Sequence, residues 1–143
     1  MGIEFDPFAQ FQDFAHPEKF VSASWLSARL GTDGLRVVES DEDAFLYDIG
    51  HIPGAVNHPW GASVYPNGRV KDRASIAEAY AHTLAAVDTD NPSVIAYCSA
   101  GQAAAHTCFI LRNVLGIEEV ALYDGSWVEW GNMVRMPIER ELD

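Results

Sequence analysis

Residues 93–104 read SVIAYCSAGQAA. The apolar run is typical of a buried β-strand that ends at Cys98, and Gly101 turns the chain into a helical segment. In an open parallel α/β sheet, ligands bind at the carboxyl ends of the strands, where helix N-termini present unpaired N–H groups. Two interpretations of Cys98 follow: a small apolar residue that fills the end of a core strand, or a nucleophilic thiolate stabilised by the loop and the helix.

Strand-like and helix-like segments alternate along the chain, which predicts an α/β fold with a central parallel sheet flanked by helices on both faces. Strands are expected at residues 35–39, from residue 56, at 93–98 and at 119–123. One helix is expected at residues 23–30, between an N-cap at Ser22 and a stop at Gly31. Further helices are expected near Ser75, from Gln102 and from Ser126. Ser75 with Glu78, and Ser126 with Glu129, fit the capping-box pattern.

Residues 1–19 are rich in phenylalanine and are predicted to form an N-terminal arm, followed by a single domain over residues 20–143. The spacing near three predicts a short amphipathic helix or a wrapped segment, with apolar positions at Ile3, Phe5, Phe8, Phe11 and Phe14. This arm either lies on its own domain or covers a neighbouring subunit, in which case it joins a homodimer.

Composition excludes several classes of protein. The chain has 143 residues, a net charge of -12 and only 9 basic residues, which argues against a nucleic-acid surface and against an anionic membrane. No apolar run approaches the roughly 20 residues that span a bilayer. Glu4 and Asp6 stand where a secretory signal would need a basic region, so we expect a cytoplasmic protein. Cys98 and Cys108 lack the spacing of a zinc or dithiol site, and we expect no metal and no cofactor.

Charged residues cluster in two places. The acidic run at residues 39–43 is either a solvated loop or the source of one carboxylate that organises the active-site edge. Arg69, Lys71 and Arg73 are either surface charges or a cationic rim for an anionic substrate. His51 lies in a Gly/Pro turn, GHIPGA at residues 50–55. It is either a general acid or base or, as we expect, a residue that holds the turn by hydrogen bonding to a backbone carbonyl.

Three motifs together resemble the rhodanese homology domain of sulfurtransferases. They are GHIPGA at residues 50–55, YCSAG at 97–101 and YDGSWVEWG at 123–131. They occur in the order that the family has, and the resemblance covers most of the chain from about Phe20 onward. Up to residue 55, the chain resembles the start of the non-catalytic domain of two-domain bacterial sulfurtransferases. From Asn57 onward, it resembles their catalytic domain. The chain is therefore expected to join two halves in one domain.

The resemblance implies a reaction and a site. Cys98 would take a sulfane sulfur from thiosulfate or 3-mercaptopyruvate as a persulfide and pass it to cyanide or a thiol. Backbone N–H groups of the loop would hold the outer sulfur. The loop residues are Ser99, Ala100, Gly101, Gln102 and Ala103, and the structural motif residues are His51, Asp124 and Trp127.

The loop departs from the family pattern in its side chains. Thiosulfate-using members carry a basic residue just after the cysteine and Arg, Lys or Thr at the loop's end, where this chain has Ser99 and Ala103. Ser99 matches the small residue of mercaptopyruvate-using members and is a candidate donor to the substrate. A dianion would lose charge-assisted hydrogen bonds, so we expect weak thiosulfate activity. The alternative is a rhodanese-like binding or sensing module with weak or no catalysis.

Overall fold

Four parallel strands form the centre of the structure, a computed structural model that describes residues 6–41, 50–85 and 93–140. In spatial order the sheet is β2, β1, β3, β4. The pairing sets Val38 opposite Val56, Val37 opposite Ile95, and Ile95 opposite Ala121. All carboxyl ends therefore meet at one edge. The strands are β1 (Leu35–Glu39), β2 (Val56–Asn57), β3 (Ser93–Tyr97) and β4 (Val120–Leu122).

Helices cover the sheet on both faces, which confirms the predicted fold class. They are α1 (Ala23–Arg29), α2 (Arg73–Ala85), α3 (Gln102–Asn113) and α4 (Ser126–Trp130). Short 3-10 helices span Ala9–Asp13, Pro17–Lys19 and Trp60–Ser63. Within the described ranges, no helix combines the length and apolar character that crossing a membrane requires.

The alternation of side chains along β3 divides the core into two clusters. Ile95 and Tyr97 join a cluster that α1 and α4 cover, with Trp25, Leu26 and Trp130. The next positions along the strand point the other way, because successive strand residues face opposite sides. This second cluster contains Val94, Ala96 and Cys98 of the strand and loop, Ile76 and Tyr80 of α2, and Cys108 and Leu111 of α3.

Two of the predicted helix starts match the structure and two do not. The hydroxyl of Ser22 accepts the N–H of Trp25 across 3.2 Å, as an N-cap does, and α3 begins at Gln102 as predicted. The capping box at Ser75 is wrong. α2 begins two residues earlier, and Oδ1 of Asp72 accepts the N–H of Ser75 across 2.9 Å. Asp72 stands ahead of Ser75 and offers a carboxylate for the same orphan N–H groups, so it takes the capping position.

The capping box at Ser126 is also wrong. Ser126 is itself the first residue of α4 and has a φ of 54°. Its hydroxyl donates to the backbone oxygen of Tyr123 across 2.9 Å and does not cap the helix. Glu129 accepts the phenolic hydroxyl of Tyr123 across 2.6 Å.

The N-terminal segment packs on its own domain over its described part, residues 6–19. Both the N–H and the hydroxyl of Ser22 donate to Oδ2 of Asp6 across 2.7 Å. Phe11 is buried, and its ring contacts those of Phe8, Phe14 and Phe20. Ile3 and Phe5 lie outside the described residues. The division of the chain at residue 20 remains a prediction.

Candidate active site

The loop after β3 turns back on the sulfur of Cys98. The backbone N–H of Gly101 donates a hydrogen bond to Sγ of Cys98 across 3.0 Å. Gly101 has a φ of 96°, in the left-handed region, and it is the N-cap residue of α3. Because the sulfur accepts this N–H at the positive end of a helix, negative charge on the sulfur is stabilised there.

Asp124 lies against the loop at Gly101. A Cβ atom built on Gly101 would lie 2.7 Å from Oδ1 of Asp124 and 3.0 Å from the backbone oxygen of Asp124. A side chain at position 101 would collide with Asp124, so glycine permits both the left-handed backbone and the close approach of Asp124. Two of the predicted site residues, Gly101 and Asp124, are therefore direct neighbours.

The start of α4 braces the backbone around Cys98. The N–H of Cys98 donates to Oγ of Ser126 across 3.2 Å, and the N–H of Trp127 donates to the carbonyl of Cys98 across 2.9 Å. One residue further, the N–H of Val128 donates to the carbonyl of Ser99 across 3.0 Å. Trp127, a predicted motif residue, thus contributes its backbone to the loop, and Ser126 contributes its hydroxyl.

A carboxylate from the end of β1 reaches the residue after Cys98. The hydroxyl of Ser99 lies 3.1 Å from each carboxylate oxygen of Asp41, and the N–H of Ser99 donates to Oδ1 of Asp41 across 3.2 Å. Within the acidic run, Asp41 therefore acts at the loop itself, which favours the second interpretation of that run. Glu42 and Asp43 lie outside the described residues.

Glu39 lies behind Asp41 and is buried. The N–H of Asp41 donates to Oε1 of Glu39 across 2.7 Å, and Nδ2 of Asn57 donates to Oε2 of Glu39 across 2.9 Å. Burial, together with the neighbouring Asp41 carboxylate, raises the pKa of Glu39 to about 8. The pair therefore carries less negative charge at neutral pH than two free carboxylates would.

His51 is buried and anchors the GHIPGA turn to the C-terminal segment. Its Nε2 lies 3.3 Å from Oε2 of Glu139, and the two residues exchange backbone hydrogen bonds of 2.9 Å in each direction. The N–H of Gly54 donates to the same carboxylate across 2.8 Å. The N–H of Ile52 donates to the hydroxyl of Tyr97, just before Cys98, across 3.1 Å. His51 thus has contacts that hold the turn in place.

A cavity of about 330 Å³ opens beside the first turn of α3. Its lining residues are Trp60, Gln102, Ala103 and His106. The rings of Trp60 and His106 meet edge to face with their centroids 5.4 Å apart, and burial lowers the pKa of His106. Cys98 itself is only 2% exposed.

Positive side chains are absent from the loop and from most of the following helix. The sequence has no lysine or arginine from Cys98 to Leu111, and the next residue, Arg112, donates to the carbonyl of Val120. Arg69 and Arg73 are exposed, and Nζ of Lys71 lies 6.0 Å from the ring centre of Tyr65. A cationic rim formed by these three residues remains a prediction.

The two cysteines are both free thiols in different surroundings. Cys108 packs in the core beneath α3, where burial raises the pKa of its thiol to about 12. Over the described ranges, no group of three or more His, Cys, Asp or Glu side chains is arranged to hold a metal ion.

Residues 22–133 match the family model of the rhodanese-like domain. The chain belongs to this family. Its fold is also similar to that of SseA from Escherichia coli, a structure described as a 3-mercaptopyruvate sulfurtransferase with the rhodanese fold. That likeness has a TM-score of 0.65 and 24% sequence identity, and it covers 78% of this chain and 43% of SseA.

Curated relatives of this rhodanese-like domain are longer proteins. A relative from Mycobacterium bovis, provisionally named thiosulfate sulfurtransferase 1, is 44% identical over 90 residues, which are 63% of this chain and 31% of that protein. The thiosulfate sulfurtransferase of Corynebacterium glutamicum is 28% identical over 294 aligned positions that cover 97% of this chain and 96% of that protein. Since this chain has 143 residues, more than half of those positions are gaps in it.

The sequence alone does not single out two residues that contact the cysteine loop, Asp41 and Ser126. The acidic run that contains Asp41 has two interpretations from sequence, and the sequence pattern places Ser126 in a capping box. Both contact the loop from segments far away in sequence, 58 residues for Asp41 and Ser99 and 28 residues for Ser126 and Cys98. A Ser next to the Asp-Gly turn of the third motif was the available signal for Ser126.

Proposed function

We propose that this chain is a sulfurtransferase of the rhodanese type in which Cys98 carries a sulfane sulfur. The observation that supports this most directly is the 3.0 Å hydrogen bond from the Gly101 N–H to Sγ of Cys98. A structural cysteine needs no such donor, whereas a sulfur that bears negative charge is stabilised by one.

The reaction has two displacements at sulfur. The Cys98 thiolate attacks the sulfane sulfur of the donor, a new S–S bond forms, and the bond to the rest of the donor breaks with its electron pair. With thiosulfate as donor, the leaving group is sulfite. With 3-mercaptopyruvate as donor, the leaving group is the pyruvate enolate, which then takes a proton. In the second step cyanide or a thiolate attacks the outer sulfur, and the Cys98 thiolate is the leaving group.

The loop backbone would bind the outer sulfur of the persulfide. The first N–H groups of a helix have no acceptor within the helix, so those of Gln102 and Ala103 are available beside Gly101. Ala100 and Ala103 contribute backbone only, since their side chains offer no hydrogen bonds. Trp127 would hold the loop in this shape through the bond of its N–H to the Cys98 carbonyl, and Asp124 lies against Gly101.

We expect thiosulfate to be a poor donor. No arginine or lysine lies between Cys98 and Leu111 to pair with its sulfonate oxygens, and Asp41 brings a carboxylate to Ser99. Each missing charge-assisted hydrogen bond costs about 1.5–3 kcal/mol of binding. Thiosulfate turnover should therefore be slow, and 3-mercaptopyruvate, with a single negative charge, should be the better of the two donors.

Formation of thiocyanate from cyanide tests this proposal. The chain is incubated with cyanide and either thiosulfate or 3-mercaptopyruvate, beside the variants Cys98→Ser and Cys108→Ser. Thiocyanate that forms in the unmodified chain and in Cys108→Ser, and not in Cys98→Ser, supports the proposal. Catalysis that survives Cys98→Ser would refute it.

The low exposure of Cys98 favours a second candidate, a binding or sensing module. At 2% exposure the thiol admits a small reagent only after local opening, and Asp41 already occupies the donors of Ser99. Such a module would take up one sulfur atom and release it slowly. A single-turnover experiment distinguishes the two: sulfur uptake with no catalytic thiocyanate formation supports the module.

A homodimer through the N-terminal segment is also part of the proposal. Phe8 is 43% exposed and Phe14 is 38% exposed, so both rings are available to a second copy. Light scattering of the unmodified chain and of a Phe8→Ser, Phe14→Ser double variant tests it. A dimer mass that falls to the monomer mass supports the dimer, and identical monomer masses count against it.

A further inference from the structure

The donor groups of the residue next to Cys98 are already bound to a negative charge. The N–H of Ser99 donates to Oδ1 of Asp41, and the hydroxyl of Ser99 lies within 3.1 Å of both carboxylate oxygens. A substrate oxygen that used either donor would have to displace this carboxylate. Ser99 is therefore not a free anion-binding group while Asp41 stays in place.

The position of Asp41 is fixed by the sheet. The N–H of Ser40 donates to the carbonyl of Tyr97 across 2.9 Å, which continues the pairing of β1 with β3 up to the loop. The N–H of Asp41 donates to Glu39, and Nδ2 of Asn57 lies 3.3 Å from the carbonyl of Asp41. Contacts from three strands thus hold this carboxylate beside the cysteine loop.

The charge of Asp41 is not balanced by a cation from the loop. The sequence from Cys98 to Leu111 contains no lysine or arginine, and Oδ1 of Asp124 lies at the back of Gly101. The loop that a donor must reach is therefore contacted by two carboxylates, Asp41 at Ser99 and Asp124 at Gly101. Coulomb repulsion grows in proportion to the charge on the donor, so a dianion is opposed about twice as strongly as a monoanion.

We infer that Asp41 determines donor specificity: it disfavours dianionic donors and leaves singly charged organic sulfur donors as the substrates of this site. This inference rests on the proposed function. A thiosulfonate anion, R–SO₂–S⁻, has the sulfane sulfur of thiosulfate with one negative charge fewer. Attack by the Cys98 thiolate forms the Cys98 S–S bond, breaks the donor S–S bond, and releases the sulfinate R–SO₂⁻ with the electron pair.

The test compares thiosulfate with methanethiosulfonate anion as donors for the unmodified chain and for Asp41→Asn. Asparagine keeps the size and one acceptor oxygen but removes the charge. We expect kcat/KM for thiosulfate to rise about tenfold and that for the thiosulfonate about threefold, since the energy scales with donor charge. If Asp41 had a merely structural role, its substitution would change kcat/KM for both donors by the same factor. Glu118→Gln, an exposed position on the chain, is the control for the same change in net charge.

Salt provides a second measurement on the unmodified chain. Added sodium chloride shortens the Debye length from about 30 Å at 0.01 M to about 8 Å at 0.15 M, so it should raise the thiosulfate rate relative to the thiosulfonate rate. This inference alone would be overturned if sulfur is transferred but the ratio of the thiosulfate rate to the thiosulfonate rate is the same in Asp41→Asn as in the unmodified chain, and the same at both salt concentrations. No sulfur transfer from either donor to either protein would overturn the proposed function and the inference with it.

Discussion

The N–H of Gly101 lies 3.0 Å from Sγ of Cys98, and the backbone conformation that directs it there has a φ of 96°. At this same residue, a Cβ atom would lie only 2.7 Å from Oδ1 of Asp124. The residue type, the backbone conformation and the hydrogen bond to the sulfur therefore depend on each other at Gly101.

Gly101→Ala should destabilise the protein and lower the reactivity of Cys98. A left-handed backbone costs a non-glycine residue about 1–2 kcal/mol. The new Cβ would also lie 2.7 Å from Oδ1 of Asp124, so a further loss is expected. Urea unfolding measures the first effect, and the rate of thiol alkylation measures the second.

Gly116→Ala is the matched control for this change. Gly116 has a φ of 74° and nothing within 4 Å of a built Cβ, so it tests backbone strain alone. Gly101→Ala should lower the free energy of unfolding clearly more than Gly116→Ala does, and only Gly101→Ala should slow alkylation of Cys98. Equal costs and equal alkylation rates would mean that the contact with Asp124 does not hold the loop.

The two cysteines should differ in reactivity in the order opposite to their exposure. Cys108 is 7% exposed and Cys98 is 2% exposed. Burial raises the pKa of Cys108 to about 12, so almost none of it is thiolate at neutral pH. Iodoacetamide at pH 8 should therefore label Cys98 first. Peptide mass mapping checks this, and preferential labelling of Cys108 in the folded chain would contradict it.

Glu39→Gln should remove a loss of stability that occurs as pH rises. In the folded chain the pKa of Glu39 is about 8, against the usual 4.5, so between these values the folded state holds a proton that the unfolded state has released. The stabilising contribution of the protonated group is complete below pH 4.5 and is lost as pH rises to 8. One pKa unit corresponds to about 1.4 kcal/mol, so the effect amounts to a few kcal/mol.

Urea unfolding at pH 5 and pH 8 measures this effect. Between pH 5 and pH 8, the free energy of unfolding of the unmodified chain should fall by about 2–4 kcal/mol more than that of Glu39→Gln. The same comparison with Glu118→Gln should show little change, because Glu118 is exposed. A difference between the Glu39→Gln and unmodified chains that stays constant with pH would refute the prediction.

His58 should make the fold sensitive to acid. Its ring stacks on Tyr80 with centroids 3.7 Å apart, its Nδ1 lies 2.9 Å from Oγ1 of Thr83, and burial lowers its pKa to about 4. The unfolded chain takes up a proton below pH 6.5, and the folded chain does so only near pH 4. Stability is therefore lost as pH falls from 6.5 towards 4, by about 2 kcal/mol at pH 5.

Unfolding of His58→Gln at pH 7 and pH 5 checks this prediction. The variant should lose less stability than the unmodified chain on acidification, although its stability at pH 7 is expected to be lower because the stacking on Tyr80 is gone. His82→Gln, an exposed histidine position in α2, is the control. Equal acid sensitivity of the two variants would show that His58 is not the responsible group.

The parts of the fold that depend on local pattern could be predicted from the sequence. The sequence predicts the strand that leads to Cys98, the turn at Gly101 and the helix from Gln102, because apolar runs, glycine and helical composition act over a few residues. The strand ends at Tyr97, one residue earlier than predicted. β1 has the predicted bounds, and β4 is one residue shorter at each end than predicted. The two residues outside β4 still bond to β3: the carbonyl of Glu119 accepts the N–H of Val94 across 2.8 Å, and the N–H of Tyr123 donates to the carbonyl of Ala96 across 3.0 Å.

The contacts that shape the site join distant segments, and local pattern does not determine them. Asp41 meets Ser99 because β1 pairs with β3, whereas His51 meets Glu139 through an isolated antiparallel bridge outside the four strands. Asp72 displaced Ser75 as a cap because two capping residues competed within one turn. The expected junction of two halves near residue 56 remains a prediction, and the long gaps in the match to the Corynebacterium glutamicum protein are compatible with it.

The mass of the intact chain after incubation with a sulfur donor decides whether Cys98 carries sulfur. We predict that 3-mercaptopyruvate adds one sulfur atom to the chain, that cyanide removes it, and that Cys108→Ser still gains it while Cys98→Ser does not. A chain that gains no sulfur from any donor, or a Cys98→Ser variant that gains the same sulfur, would contradict the assignment of Cys98 as the sulfur carrier.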